Sequence, residues 1–176
     1  MTSKAEQARS LCERGQWADA LAFAQGWQAE APAEAKAFFY AGAALTGLGQ
    51  FAAAKTAYYR ALALDEQDFK TWNNLAALLF DVLKQPVEGA KCLAQAMQLD
   101  PGNKLGWANL ASMYGQLGRH GPALDCAERA LALDPGMVEA QLHRARAAQA
   151  LNNPDIVRAA SEALALLPPE KFHRAR

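Results

Sequence analysis

Apolar residues recur along the chain at spacings of three and four, which place side chains on one face of an α-helix. Leu110, Ala111 and Tyr114 follow this spacing, and Leu75 and Ala76 hold the equivalent places one stretch earlier. The sequence lacks the alternation of apolar and polar residues that is typical of half-buried strands. The pattern therefore predicts helices throughout and an all-α fold.

This helical pattern repeats every 34 residues. Each clear copy has a turn glycine and, five positions later, an alanine: Gly15 with Ala20, Gly49 with Ala54, and Gly118 with Ala123. The segment Asp134-Pro135-Gly136 then stops one helix before the next begins. Each repeat therefore reads as two antiparallel helices, and such units bury their apolar faces only by stacking on their neighbours.

These markers set the predicted boundaries. We expect one domain over 1–170, made of five repeats at 1–34, 35–68, 69–103, 104–137 and 138–170. The third repeat has one extra residue, which we place at its internal turn near Leu83–Pro86. The fifth is degenerate, with Asn152-Asn153-Pro154 at the turn, and a short basic tail follows at 171–176.

The repeats resemble the tetratricopeptide repeat (TPR) family. The clearest copy is Trp107-x2-Leu110-Ala111-x2-Tyr114 with the later Ala123, Ala130 and Pro135, and Trp72-x2-Leu75-Ala76 is the next best. Repeat 1 departs most, with Gln7-Ala8 in the Leu-Gly slot and Trp27 in an alanine slot. The resemblance spans nearly the whole chain. It implies a right-handed α-solenoid of stacked antiparallel helix pairs, with Trp72 and Trp107 in the core.

The resemblance also implies which residues face a groove. In TPR proteins the first helix of each repeat lines a concave face, and its exposed positions here change from aromatic, through amide, to basic along the chain. By the same rule Phe80 and Ala108 should be exposed. The residues that we expect to bind a peptide are Phe39, Tyr40, Lys70, Asn73, Asn74, Asn109, Ser112, His143 and Arg146.

Asn74 and Asn109 both occupy the sixth position of their repeats. A carboxamide offers a donor and an acceptor together, which matches the two polar groups of a peptide backbone. Asparagines at this position resemble the ladder that some peptide-binding TPR proteins use. The alternative is that both side chains hydrogen bond to neighbouring helices or stabilise the local turn.

Other TPR proteins hold a C-terminal carboxylate with a lysine–asparagine clamp, and only its central asparagine is found here. We therefore predict no adaptor for the tails of the chaperones Hsp70 or Hsp90. The basic residues His143, Arg144 and Arg146 would attract an acidic ligand end or form a solvated basic face.

The balance of charge narrows the range of partners. Lys and Arg together number 18, as do Asp and Glu, so the formal net charge is zero. A nucleic-acid partner is not expected, because phosphate neutralisation needs a basic surface, and neither is a membrane partner. Three cysteines without dense spacing indicate reduced thiols, and the first residues lack an apolar signal segment. A cytoplasmic location follows from these features.

Segments that resemble catalytic motifs lack residues or flanking elements that those motifs require. Gly49-x4-Ala54-Lys55-Thr56 resembles a phosphate-binding loop, but it lacks the second glycine and the preceding strand. The three histidines have no cysteine or carboxylate at metal-ligand spacing, so we expect no metal, no cofactor and no enzyme activity.

The function favoured by the sequence is a non-catalytic module that binds a peptide segment of another protein, as an adaptor, assembly factor or chaperone. One alternative is a self-assembling scaffold that forms a homo-oligomer through the C-terminal repeat. Another is a regulatory arm of a separate enzyme. A general-purpose fold does not choose among these by itself.

Overall fold

The computed structural model describes residues 2–165, and within them the chain is all-α. Within each repeat, the two helices pack against each other as an antiparallel pair. A five-residue π-helical segment, Leu78–Val82, continues α5. The predicted end of repeat 5 and the basic tail at 171–176 lie outside the described residues. The ten helices of the described part are α1 Lys4–Glu13, α2 Trp17–Glu30, α3 Ala35–Gly47, α4 Phe51–Leu64, α5 Phe69–Ala77, α6 Pro86–Leu99, α7 Lys104–Gln116, α8 His120–Leu133, α9 Val138–Ala150 and α10 Pro154–Ala165.

Glycine forms the tight turn inside three of the pairs. Its freedom to adopt positive φ is needed there, because L side chains rarely take this conformation. At the end of α3, the Gln50 N–H donates to the Leu45 carbonyl at 2.9 Å and closes the helix. The three glycines and their φ angles are Gly15 at +70°, Gly49 at +73° and Gly118 at +69°.

The extra residue of the third repeat lies inside its first helix. Gln85 is the equivalent of Gln50, but its N–H donates six residues back, to the Leu79 carbonyl at 2.8 Å. The bond spans one more residue than its counterpart in α3 because the π-helical segment Leu78–Val82 takes up the insertion.

The turn Leu83–Pro86 has the same length as the others, so the predicted location of the insertion there is wrong. Helix α6 begins two residues after Lys84, just as α4 begins two residues after Gly49. Lys84 has a φ of +53° and therefore adopts the conformation of the turn glycines. Asn152 does the same at +54°.

The fourth position of three repeats holds the preceding loop in place. Trp107 is 7% exposed, as expected for a core tryptophan, whereas Trp72 is half-buried. The last repeat has Gln141 instead, and its amide replaces the indole N–H. The three hydrogen bonds, each to a carbonyl six residues back, are Trp72 Nε1 to Glu66 O at 2.8 Å, Trp107 Nε1 to Pro101 O at 2.9 Å and Gln141 Nε2 to Pro135 O at 3.3 Å.

The chain divides into two compact units, an N-terminal unit, Met1–Leu99, and a C-terminal unit, Asp100–Arg176. Each has an interior built largely from alanine, which lets helices approach closely. Fully buried alanines of the N-terminal unit include Ala37, Ala44, Ala54 and Ala76. Those of the C-terminal unit include Ala127, Ala130, Ala140 and Ala148.

Gly89 marks the closest approach in the third pair. A Cβ at this position would lie 2.8 Å from the Phe80 Cβ and 3.0 Å from the Ala76 carbonyl oxygen. Phe80 is only 8% exposed as a result, so the prediction that it faces the groove is wrong. Ala108 is also buried, at 3% exposure.

Gly89→Ala is expected to lower the free energy of unfolding by about 1–3 kcal/mol, because the added methyl group meets backbone atoms that cannot turn aside. Gly115→Ala is the matched control, since nothing lies within 4 Å of its Cβ position. The control variant should raise the free energy of unfolding by about 0.5–1 kcal/mol, because alanine has a higher helix propensity than glycine. Urea unfolding measures both variants, and a loss of similar size in the two would contradict the close contact.

Lys84→Gly is expected to stabilise the protein by about 1 kcal/mol, because it removes a left-handed conformation from a residue with a Cβ. Lys91→Gly is the control, because Lys91 is exposed within α6. This change should lower the free energy of unfolding by about 1 kcal/mol, since glycine is unfavourable inside a helix. Thermal unfolding followed by circular dichroism distinguishes the two. Equal destabilisation by both would disprove the strained turn.

Candidate groove sites

An open groove of about 610 Å³ lies in the N-terminal unit, and we call it the N-terminal groove. It is formed by the C-terminal ends of α1 and α3 together with α5 and its π-helical segment. Small side chains at Ala43, Gly47 and Ala77 leave the space open. Its walls are Cys12, Glu13, Trp17, Ala43, Thr46, Gly47, Tyr58, Asn74, Ala77, Leu78, Asp81 and Val82.

Asn74 is the one predicted binding residue that lines this groove. It also lies beside Tyr58, whose side chain is 2% exposed. Burial raises the pKa of Tyr58, and hydrogen bonding with Thr46 and Asn74 opposes that shift. The structure therefore places the Asn74 side chain beside Tyr58 of the neighbouring helix α4 and on the wall of the groove.

The aromatic residues predicted for the groove pack within the fold. The ring centroids of Phe39 and Tyr40 are 5.0 Å apart at 74°, and Phe39 lies 6.2 Å from Tyr58. Tyr40 packs against the buried cluster that contains Ala8 and Trp27. Both residues are half-buried and neither lines the groove walls.

Lys70 and Asn73 also lie outside the walls of the N-terminal groove. Lys70 is exposed in the first turn of α5, where its N–H donates to the Asp68 side chain at 3.2 Å. Asn73 is half-buried on the same helix. The rule that the first helix of each TPR repeat lines the concave face, here called the face rule, therefore identified α5 correctly. Of the residues that it selected on α5, only Asn74 lines the groove.

The N-terminal groove carries negative charge at its rim. Glu13 and Asp81 line it, and both are exposed. Glu13 forms a loose pair with Arg9, whose Nε is 3.9 Å from the carboxylate. No lysine or arginine belongs to the walls. The rim thus favours a ligand that is neutral or basic.

A second groove, of about 430 Å³, lies in the C-terminal unit, and we call it the C-terminal groove. Three of the predicted residues, Ser112, His143 and Arg146, line it. Asn109 is exposed on α7 and is not part of its walls. The walls are Ala111, Ser112, Gly115, Gln116, His120, Ala123, His143, Arg146 and Ala147.

The electrostatics of the C-terminal groove centre on His143 and Arg146. Burial lowers the pKa of His143, the charge of Arg146 lowers it further, and Glu139 opposes the shift. The walls contain His120 but no carboxylate. At neutral pH the groove therefore combines one fixed positive charge with an uncharged imidazole.

The two grooves share several repeat positions. Counted from the first residue of each predicted repeat, Asn74 and His143 occupy position six, and Ala77 and Arg146 occupy position nine. The grooves differ elsewhere, because the π-helical segment lines only the first, and because Trp17 comes from the repeat before α3 whereas His120 comes from the same repeat as α7.

Sequence analysis missed the residues that the second helices and the helix ends contribute. Trp17 and Tyr58 belong to α2 and α4, which the face rule leaves out. A Cβ added at Gly47 would lie 2.2 Å from the Trp17 ring, and one at Gly42 would lie 2.7 Å from the Tyr58 ring. The glycines were the only sequence signal that large side chains reach this side.

Two buried thiols and the arrangement of potential metal ligands bear on the chemistry of the described residues. Burial raises the pKa of Cys92 and of Cys126 to about 11, so these thiols are protonated at neutral pH and poorly nucleophilic. No group of three or more potential ligands for a metal ion occurs within residues 2–165. In the same part of the chain, no helix has the length and apolar character to cross a membrane.

The lowered pKa of His143 makes stability depend on pH. The unfolded chain binds a proton with the ordinary pKa of 6.5 and the folded chain binds it less readily, so stability falls as the pH drops below 6.5. His143→Gln should flatten this part of the profile. Urea unfolding between about pH 7.5 and about pH 5 measures it, and an unchanged slope in the variant would contradict the assignment.

Comparison with known proteins supports the repeat architecture. The tetratricopeptide repeat model matches residues 35–68 and 106–137. No curated protein matches the chain in sequence.

Solved structures share the fold at low sequence identity. A crystal structure of MamA is 15% identical and gives a TM-score of 0.79 over 99% of this chain and 98% of that one. MamA from Desulfovibrio magneticus RS-1, from residue 41 to its end, is 20% identical, with a TM-score of 0.74 over 94% and 93%. YrrB, described as a TPR protein with an unusual peptide-binding site, is 19% identical, with a TM-score of 0.77 over 89% and 80%.

The repeat pattern, the helix pairs and these matches agree, and they confirm the predicted resemblance to the tetratricopeptide repeat family and the all-α repeat fold.

Proposed function

We propose that the chain is a non-catalytic interaction module that binds a peptide segment of a partner protein in its grooves. The observation that carries this proposal is that each compact unit has an open groove beside its first helices. Both grooves have small residues on their walls, and position nine of two repeats lines each one: Ala43 and Ala77 in the first, Ser112 and Arg146 in the second. Repeat proteins present such extended surfaces of stacked helices for binding.

The N-terminal groove supplies the apolar part of the binding energy. Trp17, Leu78 and Val82 line it, and Val82 remains 38% exposed. A partner side chain that covers this surface gains about 25 cal/mol for each Å² of apolar area that is removed from water. Asn74 lies on the same wall and offers its remaining hydrogen-bonding capacity to the peptide backbone.

The partner is a protein, and the role is that of an adaptor, assembly factor or chaperone in the cytoplasm. The description of YrrB as peptide-binding supports this class of ligand. The protonated thiols and the absence of a metal-binding cluster among residues 2–165 favour binding over catalysis. Asn109, exposed on α7, is proposed as a further contact of the bound segment.

Ala77→Arg is expected to reduce partner binding at least about tenfold, because the long side chain fills the N-terminal groove; tenfold corresponds to about 1.4 kcal/mol. Ala77 is exposed within a helix, so the change has little effect on stability. The measurement is affinity capture from native extract with quantitative mass spectrometry. Ala53→Arg is the control, since Ala53 is exposed on α4 and lies outside the groove walls.

A partner that both variants retain at the wild-type level would show that the groove is not used. The double variant Asn74→Ala, Asn109→Ala tests the asparagine ladder within the same experiment, and a loss of the same partner is expected. Recovery of this chain alone, as a homo-oligomer, would favour the self-assembling scaffold over the peptide-binding module.

A further inference from the structure

The C-terminal groove holds a positive charge that the fold does not neutralise. Arg146 is exposed on its wall, and none of the ion pairs among residues 2–165 involves it. Glu139 lies seven residues earlier on the same helix, about two turns away, and acts on His143. An arginine in this setting has its five N–H donors available to a ligand.

Packing does not explain this arginine. The equivalent position in the N-terminal groove is Ala77, which is also exposed, so the architecture accepts a residue without charge there. The equivalent of His143 is the neutral Asn74. The two grooves thus have opposite charge, with Glu13 and Asp81 on the first and Arg146 on the second.

Other donors surround Arg146 on the walls of the C-terminal groove. Ser112 carries a hydroxyl group, and Gln116 carries an amide that donates to it at 3.4 Å. His143 and His120 add two imidazole rings. These groups suit a carboxylate, because its two oxygens accept hydrogen bonds from several donors at once.

We propose that the C-terminal groove binds an acidic side chain, Asp or Glu, of the partner segment, with Arg146 as its charged contact. The proposal rests on the proposed function and adds the chemistry that selects the partner. The site differs from the lysine–asparagine clamp discussed above, since the residues at positions six and nine are His143 and Arg146.

Binding is also coupled to protons. The groups that act on His143 are Arg146, which disfavours its charge, and Glu139, which favours it, while His120 lines the same groove. A carboxylate bound beside Arg146 offsets the positive charge and raises the pKa of His143. Protonation then accompanies binding, so affinity increases as the pH falls below neutrality.

The test is selection of a random peptide library, displayed on phage, against three forms of the full chain: wild type, Arg146→Glu and Arg158→Glu. Arg158 is exposed outside the C-terminal groove, so its replacement changes the net charge equally. Peptides selected by the wild type and by Arg158→Glu should share an Asp or Glu at one position. Arg146→Glu should lose that preference or select Lys or Arg there.

Synthetic versions of a selected peptide provide the quantitative readout. Replacing its acidic residue with the corresponding amide should weaken binding to the wild type about threefold to tenfold. The same replacement should not weaken binding to Arg146→Glu, because it removes a negative charge that the new Glu side chain repels. Binding of the acidic peptide to the wild type should be tighter at about pH 6 than at about pH 8. Thermal unfolding of each variant, compared with the wild type, confirms that it is folded.

Three outcomes have distinct meanings. Peptides without an acidic preference would overturn this inference and leave the proposed function standing. The same acidic preference in Arg146→Glu would also overturn this inference, because a residue other than Arg146 would then recognise the acidic side chain. Failure of all three proteins to enrich any peptide would overturn the proposed function, and the inference with it.

Discussion

The close approach of helices at alanine and glycine is the constraint on which the rest of the structure depends. Fully buried alanines fill the interior of each compact unit, and at Gly89 even one methyl group would meet a neighbouring backbone carbonyl. Because the helices pack through their smallest residues, their positions are fixed by backbone contacts and vary little with the side chains on the exposed faces. The helices that form the grooves are held in the same way. The residues that line the grooves can therefore differ without changing how the helices pack.

The same constraint allows the two grooves to differ in chemistry. Ala77 and Arg146 occupy the same position of their repeats, yet the walls around them have opposite charge. Peptide affinity in such a site comes from a few buried contacts, while charge selects among candidate ligands.

Much of the fold follows from sequence, because turn glycines, core alanines and Asp-Pro-Gly stops act locally and recur in phase. The site was only partly predictable. The face rule identified Asn74 and Arg146, which line grooves, but it treated Phe39 as exposed although its ring packs against two tyrosines. The same rule predicted that Phe80 is exposed. Phe80 is buried instead, because the π-helical segment turns it inward. The position of that segment depends on hydrogen bonding within the helix, which the sequence pattern does not reveal. Tyr58 was missed because it reaches the groove from a second helix.

The most direct measurement of the central claim is site-specific photo-crosslinking in native extract. A photoreactive phenylalanine analogue replaces Ala77 on the wall of the N-terminal groove or, as the control, Ala53 on α4 outside it. The account predicts that position 77 crosslinks to a defined segment of a partner protein and that position 53 does not. Crosslinking of the same partner from position 53, with none from position 77, would show that the binding surface lies on the second helices and would contradict the account.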